Sequence, residues 1–231
     1  MISIPLTTPL GRTVKSIGVW MSGGADSSLL CYMLAEKIKQ ENLPIKIQPL
    51  TVDHKRPFMF IAGTVSSKII ELLDAKDIFH SHIVYNPPEG ITWTLEEHGK
   101  QFHSRNYENF KNDKFQILYC GTTTNPPVEI QEKFSWSVIA DIEAKRGVGV
   151  IKEPVRYFTK EEDSKIYEFI EFKPFIEIDK KEIARMYQEK NLMETLFPLT
   201  RSCELPGTVV GHCGTKCWWC EERAWAFGKL E

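Results

Sequence analysis

The chain lacks several features that would decide its class at once. It has no run of about 18 apolar residues that could cross a membrane. Residues 1–12 contain no basic segment followed by a long apolar stretch. There is also no excess of positive charge, since 29 Lys and Arg stand against 31 Asp and Glu, and such a balance disfavours nucleic acid and anionic membranes as partners. We therefore expect a cytoplasmic protein with small-molecule substrates and with no membrane or direct nucleic-acid partner.

Internal repeats, low-complexity tracts and any Ser-His-Asp or paired-carboxylate arrangement are missing as well. His98 and His103 are five residues apart, whereas two metal ligands on one helix face are four apart, so we expect surface residues there. A length of 231 residues suffices for a sizeable core. We expect one large domain, residues 1–173, with a small C-terminal subdomain, residues 174–231.

Apolar segments alternate along the first half of the chain. Short runs predict strands at residues 14–20, 45–52, 80–85 and 116–120, and helical spacing or composition predicts helices at residues 28–35, 60–74 and 94–112. This alternation is typical of an α/β fold with a doubly wound, mostly parallel sheet. Ligands of such sheets bind at the carboxyl ends of the strands.

The pattern is weaker in the second half. Between residues 122 and 173 it predicts only a helix at 128–144 and a charged turn at 160–163. It recovers at residues 174–179, and Asp179 is expected to cap a helix over residues 180–191.

A seven-residue segment, Ser22-Gly23-Gly24-Ala25-Asp26-Ser27-Ser28, lies between the first predicted strand and helix. Its two glycines allow close backbone approach, its serines add hydroxyl donors, and the helix start adds a partial positive charge. These features suit a pyrophosphate. The lysine-bearing phosphate loop, with four residues between its glycine and Gly-Lys, is absent.

Residues 22–28 resemble the PP-loop of the N-type ATP pyrophosphatases, which adenylate a carbonyl oxygen. The resemblance implies that a carboxylate or amide attacks the α-phosphorus of ATP, that pyrophosphate leaves into the loop, and that a nitrogen or sulfur nucleophile then displaces AMP. It implies ATP and Mg²⁺ as cofactors. The residues expected to bind the nucleotide are Ser22, Gly23, Gly24, Asp26, Ser27, Ser28, Val52 and Gly121.

Three residues are predicted to take part in the chemistry. Asp26 is expected to hold Mg²⁺ or to orient the loop, and Ser27 to bind the departing pyrophosphate. Lys180 is expected to add a positive charge to the same phosphates. A solvated lysine at a helix start is the equal alternative for Lys180.

Four of the six cysteines lie within the last thirty residues, at Cys203, Cys213, Cys217 and Cys220. Four thiolates at this spacing are enough for one structural Zn²⁺, and an iron–sulfur cluster would use the same ligands. His212 is an alternative to Cys203 as a ligand. Cys31 and Cys120 lie in apolar runs, where we expect buried free thiols.

Three C-terminal segments, residues 174–183, 200–203 and 213–227, resemble the 7-cyano-7-deazaguanine (preQ0) synthase family. The resemblance implies ATP-dependent conversion of 7-carboxy-7-deazaguanine to an amide and then to the nitrile preQ0, with free ammonia as nitrogen source, and it makes a homodimer unsurprising. The chain departs from the family pattern at residues 53–57 and 121–127, where the acceptor is expected to bind, so a related ligase that acts on a different acyl acceptor is an alternative.

Two further hypotheses stand beside this one. A PP-loop enzyme that modifies tRNA could use the four cysteines for a cluster or for sulfur delivery. A non-catalytic nucleotide-binding or partner-binding protein could present Trp218, Trp219 and Trp225 to a partner.

Overall fold

Six strands form one sheet in the structure, a computed structural model that describes residues 2–52, 58–86, 89, 104–124, 126–133, 155–162, 165–203 and 211–231. The strands are β1 (Ser16–Trp20), β2 (Lys46–Val52), β3 (Ile83–Tyr85), β4 (Ile117–Tyr119), β5 (Val155–Glu162) and β6 (Lys165–Phe172). The helices are α1 (Ala25–Gln40), α2 (Phe58–Leu73), α3 (helical at residues 104–111), α4 (Val128–Gln131), α5 (Lys180–Glu189) and α6 (Trp218–Phe227). Short 3₁₀ turns lie at Lys76–Ile78 and Phe197–Leu199.

The sheet has the strand order β3-β2-β1-β4-β6-β5. All neighbouring pairs are parallel except β5 and β6, which form an antiparallel hairpin at one edge. The predicted α/β fold with a mostly parallel sheet is confirmed.

The hairpin itself was not predicted. The prediction of a charged turn at residues 160–163 is wrong for residues 160–162. Residues 160–162 belong to β5, where Lys160, Glu161 and Glu162 pair with β6. Charged side chains on an edge strand discourage pairing with another chain. For this reason a charged run, which looks like a turn in the sequence, is compatible with a strand at this edge.

Side chains of the central strands alternate between two hydrophobic layers. Ile17 and Val19 of β1 pack into the larger cluster with α1, α2 and α5, while Leu118 of β4 packs on the opposite face with Phe110 of α3. Burial on both faces explains why these strands read as short continuous apolar runs. Gly18 fits between the layers, because a Cβ atom there would lie 3.1 Å from Leu118 and Phe115.

The helix boundaries differ from the prediction in an informative way. Helix α1 begins at Ala25, three residues before the predicted start, because Gly24 takes the extended N-cap conformation. Asp26, Ser27 and Ser28 therefore belong to the first turn of α1. The prediction of Asp179 as a cap is confirmed, since its side chain accepts a hydrogen bond of 3.0 Å from the Glu182 N–H.

Several predicted features lie wholly or partly outside the described residues. These are residues 53–57, the first part of the helix at 94–112 with His98 and His103, and the end of the helix at 128–144. Within the described residues, no helix combines the length and apolar character needed to span a bilayer. The division at residue 173 stays a prediction.

His82, just before β3, is connected to the Met21 carbonyl through the Thr51 hydroxyl, and its imidazole is neutral in the folded protein. Thr51 donates its hydroxyl proton to the Met21 carbonyl at 2.6 Å, so the His82 Nε2 at 2.8 Å from the Thr51 Oγ must donate. Desolvation lowers the pKa of His82 to about 4 from an ordinary 6.5. Between these values the unfolded chain binds a proton that the folded chain does not, so stability is lost as pH falls from 6.5 towards 4.

We predict that the free energy of unfolding falls by about 2 to 3 kcal/mol over this pH range on account of His82. His82→Gln keeps a donor for Thr51 and removes the titration, so it should flatten the dependence measured by urea unfolding at several pH values. His80→Gln, at an exposed position, is the control and should keep most of the slope. Equal slopes for wild type and His82→Gln would contradict the assignment.

Candidate functional site

A cavity opens at the carboxyl ends of β1 and β4. The strand order reverses direction at this pair, and in open α/β sheets such a point is where ligands bind. The cavity has a volume of about 360 Å³. It is lined by Trp20, Ser22, Asp26, Ser27, Cys120, Gly121, Thr122, Arg156, Glu171 and Lys173.

The loop after β1 is closed by its own hydroxyls. The Ser22 N–H donates to Ser27 Oγ at 3.3 Å, and the two serine hydroxyls lie 3.1 Å apart. The Gly24 N–H donates to Ser22 Oγ at 3.2 Å, and Ser28 Oγ donates to the Gly24 carbonyl at 2.6 Å. This arrangement holds the loop in one shape at the N-terminus of α1, where amide groups and the helix dipole favour an anion.

Gly23 needs to be a glycine for two reasons. Its φ is +79°, a region that side chains rarely adopt, and a Cβ atom would lie 2.8 Å from Ile61 of α2. Its carbonyl accepts a hydrogen bond of 2.9 Å from the Arg201 N–H. The loop is therefore fixed to the segment that precedes Cys203.

A buried ion triad links the loop to the C-terminal helix. Lys180 Nζ lies 3.0 Å from Asp26 Oδ2 and 3.1 Å from Glu222 Oε2. The Lys180 and Glu222 side chains are 6% and 0% exposed, so the alternative of a solvated lysine is wrong. The role of Lys180 towards phosphate stays a prediction, because its ammonium group is engaged by two carboxylates here.

Gly121, after β4, packs directly on the start of α1. A Cβ atom on Gly121 would lie 2.8 Å from the Ser27 nitrogen and 2.9 Å from the Asp26 carbonyl carbon, both rigid backbone atoms. Gly121→Ala should therefore displace the first turn of α1 and weaken the binding of α,β-methylene-ATP, an analogue that resists cleavage at the α–β bond, at least tenfold by calorimetry.

The matched control for this prediction is Gly63→Ala in α2. A Cβ atom there meets nothing within 4 Å, and alanine favours a helix interior over glycine by up to about 1 kcal/mol. This variant should bind the analogue as the wild type does and should be no less stable. Unchanged analogue affinity in Gly121→Ala would contradict the close packing of Gly121 against the loop.

The side of the cavity away from the loop carries three charged residues, Arg156, Glu171 and Lys173, which we call the cationic wall. The Glu171 carboxylate lies 3.5 Å from Arg156 and 3.6 Å from Lys173. It also accepts a hydrogen bond of 3.3 Å from the Cys120 thiol. Burial, followed by the nearby Glu171 charge, raises the pKa of Cys120 well above its ordinary value, so this thiol is neutral.

The four C-terminal cysteines come together as predicted for a metal site. The sulfur atoms of Cys203, Cys213, Cys217 and Cys220 all lie within 4.8 Å of one another. Hydrogen bonding, first from Cys220, lowers the pKa of Cys217, which favours a thiolate ligand. This group can hold a metal.

His212 does not replace Cys203 in the group. Its Nε2 accepts from the Ser202 N–H at 3.5 Å, and its Nδ1 lies 3.8 Å from Glu231. The expectation for the other two cysteines is confirmed, since both Cys31 and Cys120 are buried free thiols.

Arg223 anchors α6, the helix that contains Cys220, to the segment before Cys203. Its guanidinium is buried, stacks on Phe197 at 3.8 Å and donates to the Phe197 carbonyl at 3.1 Å and to Thr200 Oγ at 2.9 Å.

Of the three tryptophans suggested as a partner surface, Trp218 is only 1% exposed. Trp225 lies under the Lys181 ammonium at 4.7 Å.

The cavity contains three of the residues predicted from the loop, Ser22, Asp26 and Ser27, together with Gly121. Val52 is buried at the end of β2 and does not line it, and Ser28 is fully buried with its hydroxyl on Gly24. The residues that sequence reasoning missed are Trp20, Cys120, Thr122 and the cationic wall.

No family model matches the chain. No curated protein matches it either. One solved structure that matches is the U34-tRNA thiolase NcsA from Methanococcus maripaludis with its 4Fe-4S cluster, at 13% identity and a TM-score of 0.45, covering 81% of this chain and 58% of that chain. The chain thus spans less than two thirds of the length of that structure.

Proposed function

We propose that this protein is an ATP-dependent enzyme that adenylates a carboxylic acid and releases pyrophosphate into the loop at residues 22–28. The carrying observation is the hydroxyl-closed loop at the N-terminus of α1, opening on a cavity at the point where the strand order reverses. In the reaction, a carboxylate oxygen forms a bond to the α-phosphorus, and the bond from the α-phosphorus to the oxygen that bridges to the β-phosphorus breaks. The negative charge that develops on pyrophosphate is stabilised by the loop amides and by Ser22 and Ser27.

Asp26 fits a role in holding Mg²⁺. Within the described part of the chain, its Oδ1 is buried without a hydrogen-bond partner, while its Oδ2 pairs with Lys180. Carboxylate oxygen is the ligand that Mg²⁺ prefers, and the ion neutralises charge on transferring phosphates. Lys180 would hold the Asp26 carboxylate in place from its other oxygen.

Zinc is the metal that we propose for the four cysteines. A tetrahedral ion about 2.3 Å from each sulfur needs sulfurs close to 4 Å apart, in keeping with a group whose members all lie within 4.8 Å. A 4Fe-4S cluster would place each thiolate on a different iron, and so would spread the sulfurs farther. The ion would be structural, since four thiolates fill its coordination sphere.

For the acid, the C-terminal resemblance supports 7-carboxy-7-deazaguanine, with ammonia as the nucleophile. Ammonia would attack the acyl carbon of the adenylate, AMP would leave, and the amide would form. A second activation by ATP would dehydrate the amide to the nitrile preQ0. The cavity volume of about 360 Å³ is within the range of small-molecule sites.

The test is a reaction of the purified protein with ATP, Mg²⁺, ammonium and 7-carboxy-7-deazaguanine, analysed by mass spectrometry. The expected products are AMP, pyrophosphate and first the amide, then the nitrile. Formation of ADP and phosphate, or no turnover of ATP with any acid, would contradict adenylation. AMP formed with another acid would keep the adenylation and reject this substrate.

The competing proposal is a PP-loop enzyme that modifies tRNA, and the observation in its favour is the four-cysteine group itself. The two proposals differ in what the metal site contains and in what accepts the activation. Metal analysis should give one zinc per chain under our proposal. Iron with labile sulfide, together with AMP formation that depends on tRNA, would favour the tRNA enzyme.

A further inference from the structure

A thiol and a carboxylate contact each other inside the cavity at the carboxyl ends of β1 and β4. Cys120 and Glu171 both line this cavity, and the Cys120 thiol donates a hydrogen bond of 3.3 Å to Glu171 Oε1. Each of the two residues is 6% exposed, so a reactant must enter the cavity to reach them. Cys31 is a buried thiol as well, but it does not belong to the cavity lining. Cys120 therefore differs from an ordinary buried cysteine by its proton acceptor and by its access to the cavity.

The Glu171 carboxylate is itself held in position by two cations. Arg156 lies 3.5 Å from its Oε2, and Lys173 lies 3.6 Å from its Oε1, the oxygen that accepts from the thiol. A nucleophile, a base within hydrogen-bond reach and a third group that orients the base form the arrangement that activates serine and cysteine in covalent catalysis. Burial, and then the Glu171 charge, raises the pKa of Cys120. The thiol therefore needs such a base at the moment when it attacks.

The thiol lies on the side of the cavity where an acyl group would be bound. Cys120 contacts β6 twice, through its thiol to Glu171 and through its N–H, which donates to the Phe172 carbonyl at 2.9 Å. Strand β6 lies on the opposite side of β4 from β1 and the loop at residues 22–28. In an in-line displacement, the attacking oxygen lies opposite the leaving group. An acid that expels pyrophosphate into the loop therefore has its acyl carbon on the side of β6, with the thiol.

We propose that Cys120 is a catalytic nucleophile that takes the acyl group from the adenylate as a thioester, with Glu171 as the base that accepts the thiol proton. This assignment rests on the proposed adenylation. The sulfur forms a bond to the acyl carbon, the C–O bond to AMP breaks, and the thiol proton passes through Glu171 to the departing AMP. Ammonia then attacks the thioester rather than the adenylate. The C–N bond forms, the C–S bond breaks, and Glu171 carries a proton from the nitrogen to the sulfur.

The first test is made without ammonia, so that the thioester has no acceptor. The purified full chain is mixed with ATP, Mg²⁺ and 7-carboxy-7-deazaguanine, quenched in acid within the first turnover, and analysed by mass spectrometry as intact protein and as peptides. The expected result is an adduct on Cys120 with the mass of the acid less one water. Ammonium added before the quench should remove the adduct and release the amide. A wild type that forms the amide with ammonium but carries no adduct without it would overturn the proposal.

Substitutions at both positions separate a nucleophile from a structural thiol. Acid-dependent exchange of labelled pyrophosphate into ATP reports the adenylation alone, so it shows which variants are folded and bind both substrates. Glu171→Gln should slow adduct formation roughly 10²- to 10⁴-fold, the contribution of a general base. Cys120→Ala and Cys120→Ser should retain the exchange but lose amide formation by at least the same factor, although serine keeps a donor for Glu171. Amide formation by Cys120→Ser at the wild-type rate would show that the thiol only donates a hydrogen bond, and would overturn the proposal.

The matched control is Cys31→Ala, which removes a thiol of α1 outside the cavity lining and should keep both the adduct and the amide. If wild type and Cys120→Ala form the amide equally fast, the adenylation stands and the nucleophile fails. An adduct on a residue other than Cys120 would reject Cys120 in the same way. If the wild type shows no acid-dependent exchange, the adenylation itself fails, and the thioester fails with it.

Discussion

Lys180→Met is expected to lower the free energy of unfolding by about 3 to 5 kcal/mol and to abolish AMP formation. The substitution keeps the length of the side chain but leaves two carboxylates, those of Asp26 and Glu222, close together in a buried site without their cation. Glu222 is fully buried and cannot reach solvent. Urea unfolding followed by circular dichroism measures the stability, and α,β-methylene-ATP binding measures the site.

Two variants test the physical reason. Lys180→Met combined with Glu222→Gln removes one of the two buried carboxylate charges and should recover a large part of the lost stability, but not AMP formation. Lys37→Met removes an exposed i,i+4 ion pair with Glu41, and should cost no more than about 0.5 kcal/mol. A stability loss in Lys180→Met as small as that in Lys37→Met would show that the triad is not coupled to folding.

Cys220→Ala is expected to abolish the metal binding that we propose for the four cysteines and, with it, the ability to bind nucleotide. Three thiolates remain, and a structural zinc site that loses one ligand loses affinity and the folding free energy that binding provides. The effect should reach the loop at residues 22–28 because this loop is attached to the rest of the protein at two points, and one of the four clustered cysteines lies two residues from each point. Arg201, two residues before Cys203, binds the Gly23 carbonyl, and Glu222, two residues after Cys220, binds Lys180.

The measurements are the metal content by elemental analysis and the Kd of α,β-methylene-ATP, which should rise at least tenfold. The matched control is Cys31→Ala, at a buried thiol of α1 outside the metal group. This variant should keep a full metal complement and lose only about 1 kcal/mol of stability, because the small side chain leaves a small cavity. Normal nucleotide binding by metal-free Cys220→Ala would show that the loop at residues 22–28 does not depend on the metal site.

The parts of the site that lie within short segments were predictable from the sequence. Residues 22–28 form hydrogen bonds with one another, and the four C-terminal cysteines lie within eighteen residues of one another. The local sequence therefore indicates a phosphate-binding loop in the first segment and a metal site in the second. The strands of the central sheet are likewise short apolar runs, because both of their faces are buried.

The cationic wall could not be found in the same way. Arg156 reaches Glu171 only because β5 pairs antiparallel with β6 in a register that places these two residues opposite each other. The one local signal was Glu171 itself, an acidic residue between Ile170 and Phe172 in a run that packs against the core. A charge at such a position needs a partner, but the sequence does not tell which one.

The ion triad depended on tertiary packing too. Lys180 is the first residue of α5 and Glu222 the fifth residue of α6, each next to a residue of the same charge, and adjacent charged residues on a helix usually face solvent. Their burial follows from the packing of α5 against α6 and α1.

The most direct test of adenylation follows an oxygen atom. The acid 7-carboxy-7-deazaguanine is prepared with ¹⁸O in its carboxylate and incubated with the protein, ATP, Mg²⁺ and ammonium, and the AMP is analysed by mass spectrometry. If a carboxylate oxygen attacks the α-phosphorus, the AMP released with the amide must carry ¹⁸O from the acid. AMP that forms with ordinary oxygen only, while the amide appears, would contradict an acyl-adenylate and with it the function proposed for the loop.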